Sequence, residues 1–136
     1  MLSQKTKYAF SALTYLATHA GNGPVLIEEI AENRKISKKF LENILLELRK
    51  AGICGSKKGK GGGYYLIKAP ADIQLSKIIR LVNGPISLVP CVSLHYYEPC
   101  GDCANEKSCK LRSIMMDVRV SALQILENRT LADLLD

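Results

Sequence analysis

The segment from Ala51 to Ile67 constrains the fold of this chain most, because it predicts a β-hairpin with a long basic tip. Two short apolar stretches, one ending at Cys54 and one starting at Tyr64, flank a loop that contains four glycines. Glycine adopts backbone conformations closed to other residues, so the pattern favours an open-tipped hairpin. The loop carries no acidic residue, which suits contact with a polyanion such as DNA. Its three lysines are Lys57, Lys58 and Lys60.

Three helices are predicted ahead of the hairpin. The third begins after Ser37, whose hydroxyl suits an N-cap, and it ends near Lys50 with Gly52 just beyond. Its apolar residues recur at helical spacing and predict a stripe that faces the core. Helix, turn, capped helix and basic hairpin, in this order, are typical of a winged helix-turn-helix. The stripe consists of Leu41, Ile44, Leu45 and Leu48.

The predicted fold class is mainly α with a small β-hairpin wing. We expect a winged helix-turn-helix unit over residues 1–68 and a second unit over residues 69–136. The second unit begins with a linking helix from Ile73 to Val82, after the break at Pro70. A loop with four cysteines follows, and a long C-terminal helix covers Lys110 to Asn128. Thr130 then caps a short terminal turn.

Two apolar rows run along the predicted long helix. One has heptad spacing, and the other lies roughly 100° around the helix from it. Both rows can pack on the body of their own chain. A small winged domain has little surface to cover both, however, so we expect one row to form a homodimer that would suit a palindromic DNA site. The rows are Leu111, Met115, Val118, Ala122 and Ile125, and Met116, Val120 and Leu123.

Charge and hydropathy indicate a nucleic-acid partner and a cytoplasmic location. The formal net charge is +6 and the pI is about 9.1. Eight basic residues fall between positions 35 and 60, and this clustering is stronger evidence than bulk basicity. No segment resembles a signal peptide or a membrane span, so the chain is expected in a compartment that keeps thiols reduced. Cysteines in such a chain point to metal or redox chemistry before structural disulfides.

Four cysteines follow the spacing C-x8-C-x2-C-x5-C: Cys91, Cys100, Cys103 and Cys109. Thiolates are strong ligands for both iron–sulfur clusters and zinc, so the pattern predicts thiol chemistry without choosing a metal. Three further alternatives stay open: a purely structural zinc, a reversible disulfide between Cys100 and Cys103, and four unligated thiols. Cys54 is separate, and its place on the first hairpin strand predicts a small buried apolar residue.

Several of these stretches together resemble the Rrf2 family of transcriptional regulators, over nearly the whole chain. The family includes the iron–sulfur regulator of cluster assembly, nitric-oxide-responsive repressors and cysteine-metabolism repressors. The resemblance implies a dimeric winged-helix protein that binds double-stranded DNA and whose cysteine loop senses a cellular signal. It rests on Lys7-Tyr8-Ala9, on Ile36 to Lys50 with Gly52, on Lys58 to Tyr64, and on Thr130 to Leu134.

The resemblance implies base contacts near Lys39 and Glu42 and a wing contact near Lys58. Lysine donates to guanine, glutamate accepts from cytosine and asparagine suits adenine, so the exposed residues of the third helix have the chemistry for base contacts. An equally open alternative is that Glu42 only pairs with a neighbouring lysine, Lys38 or Lys39, on a solvated face. The wing lysines are expected to contact phosphate or the minor groove. The predicted DNA-binding residues are Ser37, Lys38, Lys39, Glu42, Asn43, Lys57, Lys58 and Lys60.

For the cysteine loop, the resemblance implies an iron–sulfur cluster, 2Fe–2S or 4Fe–4S, with zinc or no metal as alternatives. Cys91, Cys103 and Cys109 resemble the ligand trio of cluster-binding relatives, and Cys100 is additional. Cluster-assembly regulators have a histidine three positions after the third cysteine, where this chain has Arg112. Cys100 or, less simply, His95 can supply the missing ligand.

An enzyme is the least expected class. No glycine-rich nucleotide loop follows a strand and opens a helix, and neither His19 nor His95 has an evident nucleophile nearby in the sequence.

Overall fold

The structure, a computed structural model, describes residues 2–101 and 103–136, so Met1 of the predicted first unit and Asp102 of the cysteine loop lie outside the described residues. Within these ranges the chain forms five α-helices and one two-stranded antiparallel hairpin, which confirms the predicted fold class. Short 3-10 turns lie at Pro70–Asp72, Pro90–Val92 and Leu131–Leu134. The helices and strands are α1 (Gln4–Thr18), α2 (Ile27–Arg34), α3 (Lys38–Lys50), β1 (Cys54–Lys57), β2 (Gly63–Leu66), α4 (Leu75–Val82) and α5 (Lys110–Asn128).

Side-chain caps fix where three of the helices begin. The hydroxyl of Ser3 accepts a hydrogen bond from the backbone N–H of Thr6 at 3.1 Å, and Ser37 does the same for Phe40 at 3.3 Å. Each bond satisfies a backbone donor that has no partner inside the first helical turn. At α5 the cap is a thiol, because Cys109 Sγ accepts from the N–H of Arg112 at 3.4 Å. The start of α5 is therefore tied to a cysteine of the predicted ligand set.

The core lies between α1, α2 and α3. The predicted stripe of α3 is fully buried, as are Leu13 of α1 and Ile30 of α2. Burying side chains of this size stabilises the fold by about 1.5–3 kcal/mol each. Gly52, with φ of +77°, ends α3 and turns the chain towards β1. The core thus fixes which face of α3 is left for solvent.

The hairpin differs from its predicted boundaries at the first strand. The sequence predicts Ile53-Cys54 as the strand and Lys57 as part of the loop. In the structure Ile53 lies outside β1, which begins at Cys54 and continues to Lys57, the partner of Gly63. Pairing with β2 extends the strand through polar residues that local hydropathy cannot assign to it. The hairpin is also joined to the body, because Val25 and Tyr64 exchange two backbone hydrogen bonds of 2.8 and 2.7 Å.

The linking helix α4 starts two residues later than predicted. Ile73 and Gln74 pair with the C-terminal segment instead: the N–H of Leu131 donates to Ile73 O at 2.9 Å, and Gln74 forms a bridge with Thr130. The first residue of α4, Leu75, also donates its N–H to Arg129 O at 3.0 Å. The predicted terminal turn is confirmed, with Thr130 and Asp133 forming a capping box. Leu131 is fully buried and belongs to the core cluster around α1 and α3. The C-terminal end of α5 is therefore attached to the core.

The two predicted apolar rows of α5 have different environments. In the second row Leu123 is buried and Met116 is half-buried, so this row faces the body of its own chain, although Val120 is exposed. In the first row Met115 and Ala122 are half-buried. An apolar stripe remains uncovered, and it includes Ile114, which the predicted row omits. Its members are Leu111, Ile114, Val118 and Ile125, which are 58%, 57%, 39% and 61% exposed.

No helix in the described parts of the chain is both long enough and apolar enough to cross a bilayer.

Candidate DNA-binding surface and cysteine cavity

Five predicted DNA-binding residues form one exposed surface at the start of α3, here called the recognition face. Ser37 is the N-cap, and the other four are exposed in the first two turns. Lys39, Glu42 and Asn43 lie away from the buried stripe, whereas Lys38 lies at its edge, towards α2. A helix held by its apolar side and exposed on its polar side can enter a major groove. The recognition face consists of Ser37, Lys38, Lys39, Glu42 and Asn43.

The ion pairing of the recognition face differs from the solvated-face alternative. Lys38 Nζ contacts the carboxylate of Glu28 on α2 at 2.7 Å. The hydrogen bond and charge of Glu28 raise the pKa of Lys38, with a smaller effect from the charge of Glu42, and the bond from Lys38 lowers the pKa of Glu28. Within the described residues Glu42 forms no ion pair of its own. Its carboxylate is therefore available to another partner.

Leu46 lies one turn beyond Glu42 on the same side of α3, and sequence reasoning missed it. This side chain is 43% exposed, whereas the apolar stripe of α3 is buried. Apolar side chains on a recognition helix contact the methyl group of thymine. The signal was present in the sequence, because Leu46 falls outside the spacing of the buried stripe.

The wing presents Lys57 at the end of β1 and Lys58 and Lys60 at its tip. All three side chains are exposed, and none forms an ion pair with the residues that the structure describes. The glycines have a backbone role: Gly59 and Gly61 have φ of +89° and +75°, and a Cβ on Gly63 would lie 2.4 Å from Val25 O. Only glycine fits a backbone approach that close. The glycines thus shape the tip and seat it against the body, which leaves the lysines facing outwards.

All four cysteines of the predicted ligand set line one cavity of about 220 Å³, here called the cysteine cavity. Its walls are completed by Val89, Leu111 and Arg112. The thiol of Cys100 donates to Cys91 Sγ at 3.7 Å, Cys91 is buried, and Cys103 is exposed. Among the residues described, no three His, Cys, Asp or Glu side chains are arranged around a common metal position. The fold thus brings the four thiols to one place without fixing their coordination geometry.

Comparison with known proteins agrees with this architecture. The family model described as Rrf2, "Iron-dependent Transcriptional regulator", matches residues 2–136. The chain belongs to the Rrf2 family. It is 44% identical over 138 residues to a putative HTH-type transcriptional regulator, rrf2-like, of Rhodobacter capsulatus, covering 99% of this chain and 92% of that relative.

Two solved Rrf2-type structures are similar over almost the whole chain. CymR, the global cysteine regulator of B. subtilis, superposes with a TM-score of 0.79 at 32% identity and covers 98% of this chain and 95% of CymR. The IscR of T. potens gives a TM-score of 0.76 at 33% identity, with 98% and 85% covered. These relatives are transcriptional regulators and not enzymes, so this chain is a transcriptional regulator of the Rrf2 family and the prediction of a non-enzyme is confirmed.

Arg112 of this Rrf2 protein links the cysteine cavity to a short polar chain. Its guanidinium forms an ion pair with Glu106 at 3.2 Å and donates to Cys91 O at 3.4 Å. Tyr97 Oη donates to the same Glu106 carboxylate at 2.7 Å, which raises the pKa of Tyr97. Arg112 therefore holds the backbone of Cys91 to the start of α5. Neither Glu106 nor Tyr97 has a sequence signal for this role, because the contacts join separate parts of the loop.

His95 and Cys54 lie away from the cysteine cavity. His95 is exposed and lines a different, much smaller cavity with Ser93 and Leu123. Cys54 is fully buried in β1, and burial raises the pKa of its thiol to about 12. A thiol in that environment stays protonated and unreactive at neutral pH. Cys54 thus behaves as the small apolar residue that the sequence predicts.

Proposed function

We propose that this protein is a homodimeric, sequence-specific DNA-binding regulator whose DNA affinity is controlled by an iron–sulfur cluster held at the cysteine cavity. The observation that carries the proposal is the convergence of Cys91, Cys100, Cys103 and Cys109 on one cavity beside the first residue of α5. Membership of the Rrf2 family supports the DNA-binding part. In this proposal residues 1–68 bind the duplex, and residues 69–136 carry the sensing and dimerisation parts.

The recognition face contacts bases and the wing contacts phosphates in this proposal. Lys39, Glu42 and Asn43 offer donors and acceptors that suit guanine, cytosine and adenine, and Glu42 has no ion-pair partner within the described residues that would compete for its carboxylate. Lys38 is engaged by Glu28, so a phosphate contact by Lys38 requires that ion pair to break or to be shared. We therefore assign the base specificity chiefly to Lys39, Glu42 and Asn43.

Replacing Glu42 by glutamine is expected to change base preference at one position of the operator. Glutamine loses the charge that favours the amino group of cytosine and prefers adenine, so discrimination at that position should fall by about 1–3 kcal/mol, roughly 5- to 150-fold. The measurement is selection from a randomised duplex library followed by titration of the matched and mismatched sites. Glu32→Gln removes another exposed carboxylate, on α2, and should leave the preference unchanged. An unaltered preference in Glu42→Gln would assign Glu42 to the solvated face.

The donor set of the cysteine cavity fits an iron–sulfur cluster. Four thiols satisfy the usual ligand count, and with Cys100 in the cavity Arg112 need not act as a ligand. When bound, the cluster would supply a response to oxidants or to nitric oxide. The guanidinium of Arg112, which is ion-paired with Glu106, lines the same cavity and would lie beside thiolates that carry a net negative charge. Four thiolates also suit tetrahedral zinc, which is the second candidate.

The exposed stripe of α5 supports homodimerisation. Leu111, Ile114 and Ile125 are each more than half exposed on one side of a 19-residue helix. Together with Val118 these residues are spaced by three, four and seven positions, the pattern with which helices pair through a common seam. A second copy of the same helix can cover this stripe symmetrically.

The connection between the cavity and DNA runs through Cys109 and α5. Cys109 caps α5 with its Sγ, so fixing that sulfur as a ligand also fixes the first turn of the helix. The other end of α5 is tied to the core through Arg129 and Leu131. Ligation would therefore set the position of the exposed stripe relative to the recognition face, and hence the separation of the two recognition helices in a dimer.

Anaerobic purification with iron, sulfide and zinc analysis and an absorption spectrum tests the proposal. We expect brown protein with iron and sulfide, and a variant with Cys91, Cys103 and Cys109 replaced by alanine should contain neither and should lose metal-dependent control of DNA binding. Cys54→Ala, which removes a cysteine outside the cavity, should keep both. Colourless protein with stoichiometric zinc would select the second candidate. Protein that fails to bind duplex genomic fragments at low salt would contradict the DNA-binding part.

A further inference from the structure

We infer that Cys91 and Cys100 are a site of reversible oxidative modification, where a peroxide closes the two thiols into a disulfide. Their sulfur atoms are already in contact at 3.7 Å, in a direct thiol–thiol hydrogen bond. Closing that distance to the roughly 2.0 Å of a disulfide requires a small side-chain movement. The disulfide itself is independent of the proposed function, whereas its consequence for metal control rests on it.

The surroundings of the two cysteines assign them different roles. Cys91 is buried in the 3-10 turn Pro90–Val92, and this turn is tied to α5 by Arg112, which donates to Cys91 O, and by Arg119, which donates to Val92 O at 2.7 Å. Cys100 is only half-buried, and it follows an exposed segment, residues 94–99. Cys91 is therefore the fixed partner and Cys100 the partner that solvent and oxidant reach.

The chemistry balances with a hydroperoxide as the oxidant. The sulfur of Cys100 attacks the peroxide, so the O–O bond breaks, an S–O bond forms, and one water leaves when hydrogen peroxide is the reagent. The sulfur of Cys91 then attacks Cys100, the S–O bond breaks, the S–S bond forms, and the second water leaves. Both thiol hydrogens end in water, and two electrons pass from the two sulfurs to the peroxide. A thiol reductant reverses the closure.

Closure of this pair would remove half of the proposed ligand set. Cys103 and Cys109 remain as thiols, and two thiols alone do not complete a tetrahedral or cluster site. The oxidised protein is therefore expected not to bind metal until the disulfide is reduced. Metal-free protein would thus exist in two forms: a reduced form that can bind metal again and an oxidised form that cannot.

Peptide mapping of oxidised, metal-free protein tests the inference directly. No lysine or arginine lies between Arg80 and Lys107, so trypsin cannot separate the relevant cysteines. Chymotryptic cleavage after Tyr97 separates Cys91 from Cys100, and cleavage before Asp102 separates Cys100 from Cys103. After hydrogen peroxide and alkylation, we expect a Cys91–Cys100 linked pair of peptides whose mass is lower by two hydrogen atoms. The link should disappear with a thiol reductant.

Matched variants make the outcome decisive. Cys91→Ser and Cys100→Ser should each abolish the linked pair, and Cys103→Ser should retain it, with circular dichroism showing that each variant is folded. Cys54 serves as an internal control that stays reduced. A dominant link between Cys100 and Cys103, a link between two chains on a non-reducing gel, or thiols that all remain free would overturn the inference.

Cobalt(II) binding separates this inference from the proposed function. We expect reduced protein to give the thiolate–cobalt absorption bands and oxidised protein to lose them. If the disulfide forms but reduced protein never binds cobalt, zinc or iron, the metal proposal fails and the modification site stands. If metal binds but peroxide leaves Cys91 and Cys100 unlinked, the modification site is wrong and the metal proposal stands.

Discussion

Replacing Lys57, Lys58 and Lys60 together by alanine is expected to weaken DNA binding at ~0.15 M salt by about 100-fold for each bound wing, hence by about 10,000-fold for a dimer. Each lysine that neutralises a phosphate adds about 0.9 to the slope of log affinity against log salt, so the triple variant should lower the slope by about 2.7 for each wing, or about 5.4 for a dimer with both wings bound. The electrostatic contribution vanishes near ~1 M salt. Extrapolating a slope of about 2.7 from there to ~0.15 M salt gives a loss of affinity of about 100-fold per wing. The three side chains are exposed and form no ion pair within the described residues, so little is lost in the free protein.

The measurement is a salt series of binding titrations with operator and with unrelated duplex. Both should weaken by a similar factor, because phosphate contacts are independent of sequence. Alanine at Lys77, Lys107 and Lys110, three exposed lysines outside the predicted DNA-binding set, removes the same charge as a control. Equal slopes in the two triple variants would mean that the wing contributes only through net charge, and the wing contact would then be wrong.

The winged helix-turn-helix was predictable because its signals are local. The cap at Ser37, the glycine at position 52 and the spacing of the α3 stripe each depend on residues within a few positions of one another. The tip glycines are also local, since positive φ at Gly59 and Gly61 is a property of the turn. These features together determine which face of α3 remains exposed, and hence most of the candidate DNA-binding surface.

Features that depend on distant partners were not predictable in the same way. Lys57 belongs to β1 only because Gly63 pairs with it, and Gln74 stays out of α4 because it bridges to Thr130. The Lys38–Glu28 pair joins two helices, so spacing along α3 alone pointed to Glu42 instead. The spacing predicted that the four cysteines form one group. It did not predict that Cys91 and Cys100 are in contact while Cys103 is exposed.

On α5 the periodic pattern correctly predicted an exposed apolar row but did not predict all of its residues correctly. Heptad spacing selected Met115 and Ala122, but the body of the chain covers both in part and leaves Ile114 exposed. The body contacts α5 on the side of Leu123, where α4 and the turn Pro90–Val92 pack. The orientation of the helix against these elements, which spacing alone does not specify, decides which residues stay exposed.

Glutamate at both Ile114 and Ile125 is expected to convert the dimer to a monomer. A single carboxylate buried without a partner costs about 3–5 kcal/mol, so the dimer dissociation constant should rise by at least about 100-fold. Each monomer then holds one recognition helix, and affinity for a palindromic operator should fall to that for one half-site. Analytical ultracentrifugation measures the first effect, and titration of full and half operators measures the second.

Val120→Glu is the control that decides which side of α5 pairs. Val120 is 52% exposed, yet at ~100° per residue it lies on nearly the opposite side of the helix from the exposed stripe. If the stripe of Leu111, Ile114, Val118 and Ile125 is the interface, Val120→Glu stays dimeric and binds the full operator normally. A monomeric Val120→Glu beside a dimeric Ile114/Ile125 variant would place the interface on the second row instead. Because the thiol of Cys109 caps this helix, the same result decides which surface would move when the cysteines are ligated.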